Sequence, residues 1–205
     1  MYMVKDGYKF AAPPIIVGIV AALLHWHWLG GVLIFLGLFV MFFFRDPERT
    51  PPQDPDTIVS PADGRVMLVV EEPHAGQPGR RISVFLSIFD VHVNRSPVAG
   101  RITEIKYRTG KFYAAMRGRA SAENEQNAFF VQNDRGEIVF TQIAGWVARR
   151  IICWKSPGDS VMRGERVGMI RFGSRMDIWL PEGAEILVRP GQHVAGGTSV
   201  LARWK

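Results

Sequence analysis

The sequence predicts a mainly β protein, a barrel or sandwich hybrid of the lipoyl-carrier type, preceded by an N-terminal α-helical membrane hairpin. Three observations lead there. Residues 11–44, AAPPIIVGIVAALLHWHWLGGVLIFLGLFVMFFF, contain no Asp, Glu, Lys or Arg. From Thr57 onward, short runs of branched and aromatic residues alternate with Gly, Pro, Asn and Asp, the spacing of an all-β barrel or sandwich. Two pairs of segments echo one another: SPADGRV (60–66) with SPVAGRI (96–102), and GDSVMRGERVGMI (158–170) with GQHVAGGTSVLA (191–202). Such echoes argue for a quasi-symmetric β domain, although Gly and Pro punctuate unrelated hairpins in the same way.

The apolar segment is too long for one upright span. As a single helix it would reach about 50 Å, against a hydrocarbon core of about 30 Å. A break is expected at HWHWLGG (25–31), giving helices near 12–25 and 31–44; a single tilted span is the alternative. No small-residue cleavage pattern follows, so the segment is not read as a signal peptide. Lys5 and Lys9 flank one end and Arg45 and Arg49 the other, which places both ends on the cytoplasmic side of the cell (inner) membrane. The His25–Trp26–His27 cluster reads as an interfacial turn rather than a metal site, and no metal is expected elsewhere. RDPERTPPQDPD (45–56) breaks all periodicity and reads as a linker. The domains are thus 1–49, an anchor, and 50–205, the β-rich part.

Within the β-rich part, RVMLVV, RISVFLSI, RITEIKY, NAFFVQN, EIVFTQIA, VARRIICW, RVGMIRF, RMDIWL and EILVRP read as strands. Residues 110–126 lack a strand pattern and read as a loop with a helical turn. Cys153 is the single cysteine, so no intrachain disulfide exists, and its apolar run RRIICW suggests a buried filler. The net charge of +6 fits an anionic partner. The charge-free segment favours a lipid surface, and the basic residues are too dispersed for a nucleic-acid face.

No P-loop, G-x-S-x-G elbow, H-E-x-x-H or Cys/His zinc spacing occurs. The polar residues that stand out are Asp63 in SPADGRV, His92 in FDVHVNRSP, Glu123 to Glu125 in SAENEQN, and Ser174 in RFGSRMDIWLP. Each has a bland reading as a turn, core or surface residue. Together they fit one chemistry. Ser174 follows Gly173, the residue with least steric cover, so its hydroxyl can attack the Gly173 carbonyl carbon. His92 can take the proton and Asp63 can orient His92. The backbone ester so formed can undergo β-elimination, leaving residue 174 as dehydroalanine and then as a pyruvoyl group on a new N-terminus.

FFRDPERTPP, SPADGRV, DVHVNRSP, QIAGWVARRI and RFGSRMDIWLPEG, in this order, resemble the phosphatidylserine decarboxylase family in its short, Gly–Ser-cleaving form. The resemblance implies cleavage between Gly173 and Ser174 into a β chain, 1–173, and an α chain, 174–205, held as a heterodimer. It implies a pyruvoyl cofactor from Ser174, a processing role for Asp63 and a catalytic role for His92. The long bacterial form reads Leu-Gly-Ser-Thr at the cut, where this chain has Phe172 to Arg175, and carries a second histidine where this chain has Arg95. The expected activity is decarboxylation of phosphatidylserine to phosphatidylethanolamine in phospholipid biosynthesis, with Arg95, Lys111 and Arg175 as candidates for holding the lipid phosphate. Two alternatives stay open: a decarboxylase of another serine phospholipid, such as an ether lipid, and a non-enzymatic membrane-tethered carrier domain. The missing display lysine weighs against the carrier. A higher homo-oligomer is compatible with the sequence.

Overall fold

The computed structural model describes residues 2–110, 123–145, 150–171 and 174–205. The chain forms two compact units, divided between Glu48 and Arg49. The first is a helical hairpin of α1 (Lys5–Leu23) and α2 (His27–Phe43). The turn is shorter than the sequence suggests, because Gly30 and Gly31 lie inside α2 and His25 takes the left-handed conformation instead (φ 66°). The glycines that read as breakers serve close packing. A Cβ on Gly30 would stand 2.7 Å from the Gly18 carbonyl oxygen, and one on Gly18 2.9 Å from that of Gly30. Small residues that admit backbone contact are how apolar helices pair without a hydrophobic driving force between them. α1 also begins earlier than expected, running through Pro13 and Pro14. Val4 N–H donates to Phe44 O and Asp46 N–H to Tyr2 O, so both ends of the hairpin emerge together. Ile16, Val20, Leu23, Val32 and Phe35 are exposed. α1 is long and apolar enough to cross a membrane, and α2 is a shorter apolar helix.

The second unit is built from strands β1 (Thr57–Val59), β2 (Gly64–Glu71), β3 (Gly79–Leu86), β4 (Val93–Arg95), β5 (Gly100–Arg108), β6 (Gln126–Asn133) and β7 (Gly136–Ala144). They are followed by β8 (Ile151–Cys153), β9 (Ser160–Val161), β10 (Arg166–Ile170), β11 (Ser174–Pro181), β12 (Ala184–Ile186), β13 (His193–Val194) and β14 (Val200–Trp204). An eight-stranded sheet runs β13-β2-β3-β11-β7-β6-β5-β9; two three-stranded sheets run β1-β14-β12 and β4-β10-β8. Alternation fills the core: Ile82, Val84 and Leu86 from β3, Met176, Ile178 and Leu180 from β11, and Phe140 stacked on Phe129 with centroids 4.9 Å apart. This is the expected mainly β architecture. Cys153, expected as filler, is exposed, because β8 is the edge strand of its sheet and its last residue faces out.

The sequence echoes have a physical counterpart. The Ser60 hydroxyl donates to Ala62 O and the Ser96 hydroxyl to Val98 O, at 2.6 and 2.7 Å. The two turns bond each other reciprocally, Val59 N–H to Pro97 O and Arg95 N–H to Pro61 O. Gly197 N–H donates to Ser60 O, and Gly164 N–H to Ser96 O. Gly164 and Gly197 both have φ near +77 to +79°, which glycine adopts at no steric cost. The domain is therefore two turn–strand modules related by an approximate two-fold.

Candidate active site

Asp63 breaks that symmetry, since the equivalent position in the second module is Ala99. Its carboxylate accepts from Arg49 Nη2 and from Gly196 N–H, each at 2.7 Å. These partners, rather than His92, occupy Asp63, so it does not orient the imidazole as the sequence reading expects. His92 is fully buried just ahead of β4. Its Nδ1 lies 2.9 Å from Asp90 O. A carbonyl oxygen can only accept, so Nδ1 carries the ring proton of the neutral imidazole and Nε2 is the basic nitrogen. The orienting group is thus a backbone carbonyl.

Ser174 begins β11. The sequence reading set RVGMIRF and RMDIWL as separate strands on either side of Gly173–Ser174, and β10, which ends at Ile170, lies in a different sheet from β11. The chain changes sheets between Ile170 and Ser174; Gly173, like Lys111, lies outside the described residues. Ser174 pairs with Leu86 on one side and Ala144 on the other. Its Oγ is buried and has no hydrogen-bond partner among the described residues. Ile170 N–H donates to His92 O at 3.3 Å, which ties the His92 segment to the strand end leading to Ser174. A Cβ on Gly64, next to Asp63, would lie 3.3 Å from Leu86 Cα. β3 therefore separates Asp63 from Ser174, about two strand spacings or roughly 10 Å.

Three buried amides line the interior beside these residues. Asn127 Nδ2 donates to Gln142 Oε1 at 3.0 Å, and Gln142 Nε2 to Asn94 Oδ1 at 2.9 Å. Asn94 Nδ2 ends the row with no partner among the described residues. The sequence reading missed them, yet a signal was present: Gln142 keeps the inward phase of Ile138, Phe140 and Ala144. Asn124 Nδ2 donates to Ala144 O, and Glu125 accepts from the Tyr107 hydroxyl, which raises the Tyr107 pKa. This part of the ENEQN cluster is thus built into the sheet rather than solvated.

Asp90 has two tasks. Beyond its carbonyl, its carboxylate accepts from Ser87 N–H, the Ser87 hydroxyl and His193 Nε2, at 2.8, 2.7 and 3.2 Å. Burial alone would raise its pKa, but these partners outweigh burial and hold it below the usual value. His193 was also missed; it comes from β13, far away in sequence. Of the expected phosphate-holding residues, Arg95 is buried and donates to Gly164 O at 3.0 Å. Arg175 points to the sheet face opposite Ser174. Its Nη2 donates to Asp177 Oδ2 at 3.1 Å, and Asp177 also pairs with Arg81. Burial lowers the Arg175 pKa, with Asp177 opposing.

These features define a class: a mainly β domain with a buried serine hydroxyl, without a partner among the described residues, at the start of β11, in a chain that also carries an apolar helical hairpin. Residues 36–202 match the family model described as phosphatidylserine decarboxylase. The chain is 47% identical over 203 residues to the phosphatidylserine decarboxylase proenzyme of Symbiobacterium thermophilum, covering 97% of this chain and 94% of that one. It is 47% identical to the protein of that name from Ruegeria pomeroyi, covering 98% and 94%, and 43% identical to that from Geotalea uraniireducens, covering 96% and 93%. The chain belongs to the phosphatidylserine decarboxylase family.

Proposed function

We propose that this chain is a proenzyme that cuts itself between Gly173 and Ser174 and then removes CO₂ from the serine headgroup of phosphatidylserine, leaving phosphatidylethanolamine. The observation that carries this reading is the buried Ser174 hydroxyl, without a partner among the described residues, at the start of β11. In maturation, Oγ adds to the Gly173 carbonyl carbon while its proton passes to His92 Nε2. The C–N bond breaks, and the peptide nitrogen becomes the amine of residue 174. Loss of the Cα proton with cleavage of the Cβ–Oγ bond frees Gly173 as a carboxylate. Residue 174 is then dehydroalanine; tautomerisation and addition of water expel ammonia and leave a pyruvoyl group. No oxidant or reductant is needed.

Bound at residue 174, that group supplies an electron sink for the pair left when CO₂ departs. The chain supplies the rest. His92 Nε2, left basic by the Nδ1–H bond to Asp90 O, can take up a proton and deliver it from the imidazolium to the α-carbon. Leu86, Ala144 and Met176 surround the strand start with apolar side chains and keep water out, so polar groups there act strongly. Asp63 braces Arg49 and the turn at Gly196, a positioning role. Arg95 and Arg175 hold scaffold rather than lipid phosphate, since both are committed to internal partners. β11 is hydrogen-bonded between β3 and β7, which would keep 174–205 in place after the cut as one chain of a heterodimer. The hairpin would hold the enzyme in the cell membrane with the β domain on the cytoplasmic face. Ser174→Ala tests the reading: it is expected to stay a single chain and to release no CO₂ from headgroup-labelled phosphatidylserine. Turnover by that variant would contradict it.

A further inference from the structure

The row of buried amides joins the same two sheets that the chain joins on its way to Ser174. Asn127 and Gln142 belong to β6 and β7 of the eight-stranded sheet, whereas Asn94 belongs to β4 of a three-stranded one. The bond of 2.9 Å from Gln142 Nε2 to Asn94 Oδ1 is therefore a tie between sheets. A glycine makes room for it. Gly168 stands opposite Asn94 on β10, and a Cβ there would lie 3.0 Å from Gln142 Nε2 and 2.3 Å from Ile152 O.

Register sets the row beside the reacting groups. Ser174 stands opposite Ala144, and Met176 opposite Gln142. Residues two apart on a strand share a face, so Gln142 and Ser174 are diagonal neighbours on the inner face, about 7–8 Å apart. Asn94 and His92 are likewise two apart, and Ile170 N–H to His92 O continues the pairing of Met169 with Val93. His92 and Ser174 thus lie one step along their strands from Asn94 and Gln142. The row also has a direction. Asn127 donates to Gln142 and Gln142 to Asn94, so the row ends on an N–H. Asn94 is fully buried, and its Nδ2 has no partner among the described residues.

We propose that Asn94 Nδ2 donates to the Gly173 carbonyl oxygen when Ser174 Oγ attacks, stabilising the oxyanion of self-cleavage. This role presupposes the self-cleavage reading. As the Oγ–C bond forms, the carbonyl π pair moves onto oxygen and the hydroxyl proton passes to His92 Nε2. Asn94 gives up no proton; it hydrogen-bonds the new negative charge with a donor that is already oriented. Collapse of the adduct returns the pair to carbon and breaks the C–N bond, and the nitrogen takes the proton from His92. A neutral amide suits a buried site because it brings no charge that must be desolvated. Gln142 is a positioning residue, since its Nε2 fixes the Asn94 side chain.

The test uses the full chain, synthesised cell-free in the presence of vesicles of phosphatidylcholine and phosphatidylglycerol. Conversion of the intact chain into 1–173 and 174–205 is followed in time by denaturing mass spectrometry. Asn94→Leu, which keeps the size and removes the donor, is expected to slow cleavage about 100-fold or more. Asn94→Ala is expected to do the same, so the result does not hang on how one replacement packs. Leu201→Ala controls for stability, because it truncates a fully buried side chain of β14. It is expected to unfold at lower urea than the wild type yet cut itself at the wild-type rate. Cleavage of either Asn94 variant at the wild-type rate would overturn the role of Asn94. So would equal slowing of Leu201→Ala, since the effect would then follow stability rather than the donor. A wild-type chain that stays intact would refute self-cleavage itself, an outcome distinct from either of these.

Discussion

His92 and Asp90 act as a pair at the residue scale, joined through a backbone carbonyl rather than a carboxylate. Positioned acid–base groups contribute about 10²–10⁴-fold. His92→Gln is therefore expected to lower kcat by at least ~100-fold with folding retained, read by headgroup decarboxylation and circular dichroism. Asp63 acts elsewhere: Asp63→Ala strips Arg49 and Gly196 N–H of their acceptor and is expected to cost about 2 kcal/mol, measured by urea unfolding. Asp90 gives a pH signature. Its carboxyl is held below its ordinary value of 3.8, so its stabilising contribution is complete above that value and is lost as pH falls through the depressed one. His193→Ala removes one of the groups lowering it. Acid loosening of the Ser87–Asp90 turn, followed by amide hydrogen exchange at Phe89, should then begin at higher pH.

The elements show what a sequence can and cannot carry. Every run read as a strand overlaps one, EILVRP only by its first two residues, because alternation and turn residues are local signals. The hairpin was legible from charge and length, but its boundaries were not, since Gly30 reads as a breaker when the Gly18 backbone opposite it is unseen. Gly30→Leu should force the two helices apart, so spin labels at Tyr2 and Pro47, close together in the paired hairpin, are expected to separate in vesicles. The Gly173–Ser174 pair was legible as a serine preceded by the residue with least steric cover. That the chain changes sheet between β10 and β11 depends on partners distant in the chain. His193 and the amide row were hidden for the same reason. Gln142→Leu would leave the Asn127 and Asn94 amides without an acceptor or donor between them, and is expected to cost about 2 kcal/mol as lost thermal stability.

At the scale of the molecule, two near-equivalent modules enclose one asymmetric site. The symmetry is broken by Asp63, which stands where the other module has Ala99 and braces Arg49 and the Gly196 turn, and by Ser174, which begins β11 where the chain enters a new sheet. The central claim is that the chain makes its own cofactor by breaking the bond before Ser174. Denaturing mass spectrometry of active protein tests it most directly. Two chains are expected, residues 1–173 and residues 174–205, the second beginning with a pyruvoyl group and lacking a free amine. A single intact chain in a preparation that turns over phosphatidylserine would contradict the account.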